Sequence, residues 1–321
     1  MILENTADLR KYVAVSNNLI FEDFEPYITK AVNHFTYKYL GDLQMYLGAE
    51  ATGANADVKN KARGMLREAL SNFGLFLYFP VGLVSIDSAG ITTQNSEQRK
   101  TADNFQVNDI RRDLLQSGHN AMDRLLEYLE LNANIFPDWK ANYLPINQEL
   151  LVSSTGIFDK WFNIFGSRQA YLALLPYIRK VEDKFIKTFL CGPLIKALKD
   201  GTAAGEYHLE VKEYLQKAIV AFTISKVCTE GLFLLDASGL RIKFDTLPHE
   251  SQRIPDYGLP ADQIARMASI QEADGIAYLK FARKIIEAHA ADFDQCPVVF
   301  INETSGDSGF NPYDTKAILA I

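Results

Sequence analysis

Apolar residues recur at three-and-four spacing in several stretches of the chain, which is the pattern of amphipathic helices. Between residues 24 and 39 they are Phe24, Tyr27, Ile28, Ala31, Phe35 and Tyr39, and the pattern breaks at Gly41. A second helix is predicted over roughly 56–78. A long third helix carries apolar residues from Val107 to Leu129.

Between the second and third helices the hydrophobic period becomes strand-like. Ile86 and Ile91 flank Asp87-Ser-Ala-Gly90, in which the carboxylate and the glycine supply turn chemistry. This stretch predicts a β-hairpin. The predicted fold class is therefore mainly α, with each unit built from about three helices plus a β-hairpin.

The same succession of patterns returns about 150 residues later. Leu-Pro-Tyr-Ile at 175–178 matches Glu-Pro-Tyr-Ile at 25–28, and Leu-Asp-Ala-Ser-Gly-Leu at 235–240 matches residues 86–91. Further matches keep the same order, which indicates two tandem, structurally similar repeats. We predict a first helical repeat at 1–147, a second helical repeat at 148–299 and a C-terminal tail at 300–321.

Composition and charge narrow the classes of partner. Hydrophobic residues make up 48% of the 321 residues and charged residues 23%, as in globular proteins. The net charge of −7 offers no basic excess for nucleic acid, and no apolar run approaches a membrane span. The three cysteines, widely spaced, are expected to be thiols in a reducing compartment. Together with an N-terminus that does not resemble a signal peptide, this predicts a cytoplasmic or virion-associated protein.

No catalytic motif stands out in the sequence. The five histidines are scattered, and neither a P-loop nor a Gly-x-Gly-x-x-Gly run is present. Gly306-Asp-Ser-Gly309 resembles a serine-protease motif, but it stands in a helical chain near the C-terminus. The carboxylates Glu127 and Glu130 are interpreted as a solvated helix face. We therefore predict no catalytic residue, no cofactor and no metal, and a protein that is not an enzyme.

Three aromatic residues are the candidate interface. Trp139 and Tyr143 lie in the predicted joint between the repeats, and Trp161 follows at the start of the second repeat. They are interpreted either as sealing the seam between the repeats or as contacting a partner. A third possibility is that they line a cleft that serves as a ligand site.

A family resemblance is carried by structural motifs along nearly the whole chain. These motifs are Leu9-Arg-Lys-Tyr-Val13, the Pro26-Tyr-Ile28 helix entry, the Gly41 break, the Asp87-Ser-Ala-Gly90 turn, the Trp139 joint and their repetition. With them the chain resembles an uncharacterised family of prophage-associated proteins from gut anaerobes. One unit is more distantly similar to the head–tail connector (adaptor) proteins of tailed phages.

The connector resemblance implies a ring subunit between portal and tail without enzymatic activity. The sequence departs from connectors in being duplicated and in its predicted hairpins. The function predicted is thus a non-enzymatic structural or assembly protein that contacts protein partners or copies of itself, with neither nucleic acid nor membrane as a partner. The alternatives are an uncharacterised enzyme, or a generic binding module, with its site in the cleft between the repeats.

Overall fold

Helices form the body of both halves of the chain. The computed structural model describes residues 2–16, 18–82, 84–87, 90–92, 103–144, 149–230, 233–236, 239–242 and 260–293. In the first half the helices are α1 (Thr6–Leu9), α2 (Phe21–Ala31), α3 (Tyr37–Leu40), α4 (Leu43–Tyr46), α5 (Ala56–Gly82), α6 (Asn104–Leu131) and α7 (Pro137–Tyr143). A π-helical turn at Val32–Thr36 joins α2 to α3, and a 3-10 turn at Ala133–Ile135 precedes α7.

The second half repeats this order. Its helices are α8 (Thr155–Asp159), α9 (Arg168–Val181), α10 (Lys187–Phe189), α11 (Gly192–Asp200), α12 (Glu206–Glu230) and α13 (Ala261–Ala288). A π-helical turn at Glu182–Ile186 again follows the helix that contains the Pro-Tyr-Ile sequence, and a 3-10 turn at Ala290–Phe293 follows α13. A π turn is rare, so its presence after both α2 and α9 marks these helices as equivalent.

Each half is organised around a stacked pair of phenylalanine rings. Phe35 stacks on Phe73 with ring centroids 4.1 Å apart, and Phe185 stacks on Phe222 at the same distance. In each half a glycine on the long last helix faces the second ring of the pair. This glycine is Gly118 in α6 and its equivalent in α13. A Cβ at either glycine would lie under 3 Å from ring carbons, so the close approach of the helix requires glycine.

At the start of each half, a backbone carbonyl group is held by a side chain of an equivalent helix. The carbonyl oxygen of Ile2 accepts a hydrogen bond from Arg67 Nε of α5 at 2.6 Å, and that of Leu151 accepts one from Gln216 Nε2 of α12 at 2.9 Å. Both donors come from equivalent turns of equivalent helices. A short helix, α1 or α8, follows each of these contacts and begins at a side-chain N-cap.

The buried apolar side chains form two separate clusters. One draws its members from Ile2 to Trp139, around α2, α5 and α6, and the other from Leu150 to Phe293, around α9, α12 and α13. Leu172 of α9 is half-buried and packs against both clusters. The two halves therefore have a core each and touch at the start of α9. The domain boundaries at 147 and 299 stay predictions.

The predicted fold class is wrong in its composition. Among the residues that the structure describes, strands occur only as two isolated antiparallel pairs, Ser85–Asp87 with Gly90–Thr92 and Phe233–Asp236 with Gly239–Ile242. Ladders of three or four residues form no sheet layer in the described part of the chain, so β-hairpins are not a component of the fold. The count of three helices per unit is wrong as well. The first predicted helix runs through the π turn into α3 and ends at the predicted break at Gly41, where φ is 51°, and the short helices α1, α4 and α7 are additional.

Of two further predictions from the sequence, one is partly wrong and the other lies outside the described residues. Cys228 is a free, half-buried thiol, but Cys191 is disulfide-bonded, so the prediction of thiols throughout is wrong for Cys191. The predicted tail at 300–321, together with Cys296 and the protease-like motif, lies outside the described residues. Among the helices that the structure describes, none combines the length and apolarity needed to cross a bilayer.

Candidate functional site

The two halves meet where α6 of the first half receives the N-terminal end of α9. His119, Asp123, Glu127 and Glu130 of α6 face Ser167, Arg168 and Gln169, and we call these seven residues the repeat seam. Ser167 is the N-cap of α9, since its Oγ accepts a hydrogen bond from the backbone N–H of Ala170 at 3.1 Å. The repeat seam is the place where buried polar side chains from both halves converge.

His119 and Gln169 form the buried centre of the repeat seam. Gln169 Nε2 donates to the carbonyl oxygen of His119 at 3.0 Å, and Gln169 Oε1 lies 2.9 Å from His119 Nδ1. Because an amide oxygen only accepts, the hydrogen on the ring belongs to Nδ1 in this pair. The imidazole also packs edge-on against Phe73, with centroids 4.9 Å apart. His119 thus links the second half to the aromatic pair of the first.

Burial keeps this imidazole neutral. It lowers the pKa of His119 to about 4, and the positive charge of Lys38 acts in the same direction. The hydrogen bond with Gln169 opposes the shift without cancelling it. A neutral His119 fits the bonding pattern at neutral pH, and a protonated one would be a charge in a largely apolar site.

Asp123 receives the end of α9. Its Oδ1 accepts a hydrogen bond from the backbone N–H of Gln169 at 3.0 Å, one of the donors that a helix start leaves without an intrahelical partner. Burial raises the pKa of Asp123, whereas hydrogen bonds from Gln169 and Ser167 act to lower it. A carboxylate placed against a helix N-terminus is also favoured by the helix dipole. Asp123 therefore fixes where α9 abuts α6.

Arg168 completes the repeat seam at its edge. Its guanidinium donates from Nη2 to Glu127 Oε1 at 3.0 Å and from Nε to Glu130 Oε2 at 3.3 Å. The arginine is largely covered, and Glu127 is half exposed. Burial raises the pKa of Glu130, and Arg168 opposes this shift. The two carboxylates that the sequence suggested to be a solvated face are bound to the other half of the chain.

A second buried ion pair secures the entry into the second half. Glu182 Oε1 accepts from the backbone N–H of Leu151, and Glu182 Oε2 pairs with Lys199 Nζ, both at 2.6 Å. Lys199 also donates to the carbonyl oxygen of Glu149 at 2.6 Å. The position equivalent to Glu182 in the first half is Val32. This device therefore belongs to the second half alone.

Two of the three predicted interface residues, Trp139 and Tyr143, lie together in the first cluster. Trp139 is buried, and its Nε1 donates to the carbonyl oxygen of Tyr39 at 3.0 Å. Tyr143 stacks on it with centroids 6.0 Å apart, and its hydroxyl covers Gly41. These contacts hold α7 against the end of α3 within the first half. The role predicted for the two residues at an interface stays a prediction.

The structure does not bring Trp161 to the other two aromatic residues. Its ring is half-buried against the second cluster, with the ammonium groups of Lys160 and Lys217 over it at 4.5 and 4.6 Å from the centroid. Such cation–π contacts stabilise an exposed edge of the core. Trp161 therefore belongs to a different cluster from Trp139 and Tyr143, and the ligand cleft between the repeats stays a prediction.

Sequence reasoning missed His119, Asp123, Arg168 and Gln169. None of them belongs to a spacing motif, because each makes its contact across about 40–50 residues. One local signal was available. Ser167 before an apolar helical run is a typical N-cap, so a helix start at 168 was readable, but its partner helix was not.

The ionisable side chains of the repeat seam make contacts between the two halves. Over the described residues, no group of three or more His, Cys, Asp and Glu side chains is placed to hold a metal ion. His119, Asp123 and Glu130, whose pKa values are shifted, each contact Arg168 or Gln169 of α9. The repeat seam therefore joins the two helical halves through side chains of α6 and the start of α9.

Comparison with known proteins identifies a family. The model of a family of unknown function (DUF6712) matches the chain twice, over residues 28–144 and 183–298. The chain belongs to this family, since the two matches cover more than two thirds of it. The double match confirms the tandem repeat. No curated protein and no solved structure matches the chain.

Proposed function

We propose, for this member of a family of unknown function, a non-enzymatic structural or assembly role of the kind that head–tail connectors have in tailed phages. The protein would act by contacting other protein chains through its helical surface. A prophage origin is part of this proposal and rests on the sequence resemblance alone.

One observation carries the proposal, an exposed apolar patch on the first half. Tyr37 of α3 and Met45 and Tyr46 of α4 are 52%, 77% and 71% exposed, although each is a large hydrophobic side chain. They lie on two consecutive short helices beside the break at Gly41. Exposed apolar groups that cluster on a surface are a mark of protein contact sites.

The residues at the equivalent positions of the second half indicate that this patch is not required for folding. The positions equivalent to Tyr37 and Met45 are Lys187 and Lys196, so the same surface is polar in the other repeat. The repeat therefore tolerates lysine where the first half exposes an aromatic and a methionine side chain. A functional contact explains the difference, because exposed apolar groups do little for the stability of a monomer.

The test places a photo-crosslinking amino acid at position 45 of the full chain in cells that carry it, and then isolates particles after prophage induction. We expect the chain to be recovered in purified particles by mass spectrometry, with crosslinks from position 45 to another structural protein. Met45→Lys, the residue of the second repeat, should lower incorporation at least tenfold. Leu131→Lys, at an apolar side chain that is 78% exposed on another helix, is the matched control and should have no effect.

Three outcomes would count against the proposal. The chain could be absent from particles, the Met45→Lys chain could be incorporated like the unaltered one, or crosslinks could form only to small molecules or metabolic enzymes. The last outcome would favour the enzyme or binding-module alternatives of the sequence analysis. Genes for capsid, portal or terminase proteins beside this gene would independently support assembly.

A further inference from the structure

The second half of the chain contains a disulfide bond, whereas the first half has no cysteine at all. Cys191 is disulfide-bonded, and Cys228 of α12 is a free thiol. The third cysteine of the chain is Cys296, which lies outside the described residues. Within one chain, elimination therefore leaves Cys296 as the candidate partner of Cys191.

Cys191 is an additional residue at a junction that both repeats share. In the first half α3 ends at Leu40 and is followed by Gly41, and in the second half Leu190-Cys191-Gly192 stands in the place of these two residues. The leucines that follow the junction, Leu43 and Leu194, are both buried. The repeats therefore stay aligned on both sides of Cys191, which has no counterpart of its own.

Trp139 closes the same junction in the first half. It is buried, and its Nε1 donates to the carbonyl oxygen of Tyr39 at 3.0 Å. Trp139 stands three residues after Phe136, a buried residue that lies five residues beyond the end of α6. Phe293 is buried five residues beyond the end of α13, and Cys296 stands three residues after it. Cys296 thus has the sequence position of Trp139, whose side chain reaches the junction in the first half.

The contacts around Phe293 bring the end of the described chain within reach of Cys191. Asp292 lines a cavity of about 400 Å³ together with Ala197 of α11. Ala197 is six residues from Cys191, or about 9 Å along the helix. The three residues from Phe293 to Cys296 span up to about 10 Å. A bond between Cys191 and Cys296 therefore fits the described geometry.

Cys228 lies too far away to be an alternative partner for Cys296. The ring of Phe293 packs against His208 in the first turn of α12, with centroids 4.5 Å apart. Cys228 is twenty residues further along the same helix, which is about 30 Å. Burial also raises the pKa of the Cys228 thiol, so less of the reactive thiolate is present.

We infer that Cys191 and Cys296 form a redox-responsive tie that closes the second half at the junction where Trp139 closes the first. The bond joins the start of α11 to the segment that follows α13, across 105 positions of the chain. A disulfide across a long loop stabilises the folded state mainly by restricting the unfolded chain. An indole contact is permanent, whereas this tie is made and broken by the redox surroundings.

The chemistry of the tie is a two-electron exchange between thiols and a disulfide. When it closes with oxidised glutathione, the two protein thiols become one disulfide and the glutathione disulfide becomes two thiols. A dithiol reductant reverses the step and is itself oxidised to a disulfide. Reducing compartments therefore keep the tie open, and oxidising surroundings close it. This inference goes beyond the proposed function and does not depend on it.

The experiment first maps the bond in the full-length chain. The protein is equilibrated with oxidised or reduced glutathione, free thiols are blocked with N-ethylmaleimide, and the chain is digested with trypsin without reduction. Each cysteine falls in its own tryptic peptide, at 188–196, 227–241 and 285–316. With oxidised glutathione we expect mass spectrometry to show peptides 188–196 and 285–316 linked and peptide 227–241 alkylated. With excess dithiothreitol all three should be alkylated.

Urea unfolding then tests what the bond does. In a Trp139→Phe background, the emission of Trp161 reports unfolding of the second half. Dithiothreitol should move the midpoint of the oxidised chain to lower urea by about 1–2 M, as expected when a disulfide is lost from one domain. In a Trp161→Phe background, the emission of Trp139 reports the first half, and its midpoint should not respond to the reductant.

Substitutions of single cysteines supply the controls. Cys191→Ser and Cys296→Ser should each unfold at the midpoint of the reduced chain, with or without dithiothreitol. Position 191 is the N-cap of α11, where serine is favourable, so Cys191→Ser is expected to fold. Cys228→Ser is the matched control and should keep the full response to dithiothreitol.

Four results would overturn the inference. They are a map that links Cys191 to Cys228, alkylation of all three cysteines with oxidised glutathione, a non-reducing gel band at twice the 36.1 kDa mass, and a midpoint of the second half that dithiothreitol leaves unchanged. The gel band would show that the bond joins two copies. Each of these results leaves the assembly function standing, because incorporation into particles is measured separately.

Discussion

Acid should weaken the first half of the protein through one histidine. The native pKa of His119 is about 4, against 6.5 for an unperturbed imidazole. The unfolded chain therefore binds a proton between pH 6.5 and 4 that the native chain does not. Its contribution to stability is fully present above pH 6.5 and is lost as the pH falls toward 4.

The size of the effect follows from the two pKa values. At pH 5 nearly all unfolded chains but only about one native chain in ten carry the proton on His119. Linkage then lowers the free energy of unfolding by about 2 kcal/mol between pH 7 and pH 5 through this residue alone. That is a large part of the stability of an ordinary domain.

The assay uses the two tryptophans, because one lies in each half. In a Trp161→Phe background, the emission of Trp139 reports unfolding of the half that contains His119. Urea titrations at pH 7 and pH 5 give the free energy of unfolding for the parent chain and for His119→Asn, whose amide can still donate toward Gln169. The variant should lose about 2 kcal/mol less than the parent between the two pH values.

All other titrating groups are common to parent and variant, so their effects cancel in this difference. His34→Asn, at an exposed histidine of the first half, serves as the control and should follow the parent. Equal losses in the parent and in His119→Asn would refute the burial argument.

Five further substitutions test other parts of the fold. Glu182→Gln removes the charge that pairs with the largely buried Lys199 and should lower the free energy of unfolding of the second half by about 3 kcal/mol. The urea midpoint of Trp161 emission should move to lower urea, and an unchanged midpoint would contradict this prediction. Gly118→Ala and Gly275→Ala place a Cβ within 2.7 Å of a phenylalanine ring and should each cost about 1–3 kcal/mol in thermal or urea unfolding. Gly64→Ala, whose nearest neighbour would be 4.0 Å away, should instead be neutral or stabilising by up to about 1 kcal/mol. Asp123→Ala removes the charged acceptor of the Gln169 N–H and should lower the free energy of unfolding by about 1.5–3 kcal/mol. We expect the urea transitions of Trp139 and Trp161 to separate in this variant. Transitions that still coincide would count against a role of Asp123 in joining the halves.

Local patterns were sufficient to predict the repeat and its main helices. Phe24, Ile28 and Phe35 recur at helical spacing and are all buried, as are their counterparts Leu174 and Ile178. Periodicity reports which face of a helix is apolar, and that face packs into the core of its own half. The prediction therefore holds wherever a contact is made within one amphipathic pattern.

The strand prediction failed because turn chemistry is a local signal. Asp87 and Gly90 do lie in a short antiparallel ladder, but a ladder of this length adds no layer to a helical fold. Sequence cannot tell a connection between two long helices from a structural hairpin when both need the same turn residues. The packing of α5 along α6 decides the architecture instead.

The repeat seam could not be predicted for a different reason. His119 looked like one of several scattered histidines, and Glu127 and Glu130 fit the pattern of a solvated helix face. Their partners lie on α9, and the relative placement of the two halves is not written in any short spacing. Alignment of Gly118 with Gly275 makes two seam residues stand out, because Asp123 and Glu127 have lysines as their counterparts.

The π-helical turns at Val32–Thr36 and Glu182–Ile186 indicate the order of two events in the evolution of the chain. Such a turn corresponds to one residue inserted into a helix. Since both repeats contain it at the same place, the insertion was present in the ancestral single unit before that unit was copied. Position 182 is glutamate where position 32 is valine, and position 119 is histidine where position 276 is isoleucine, so the two once identical units diverged at these positions after the copying.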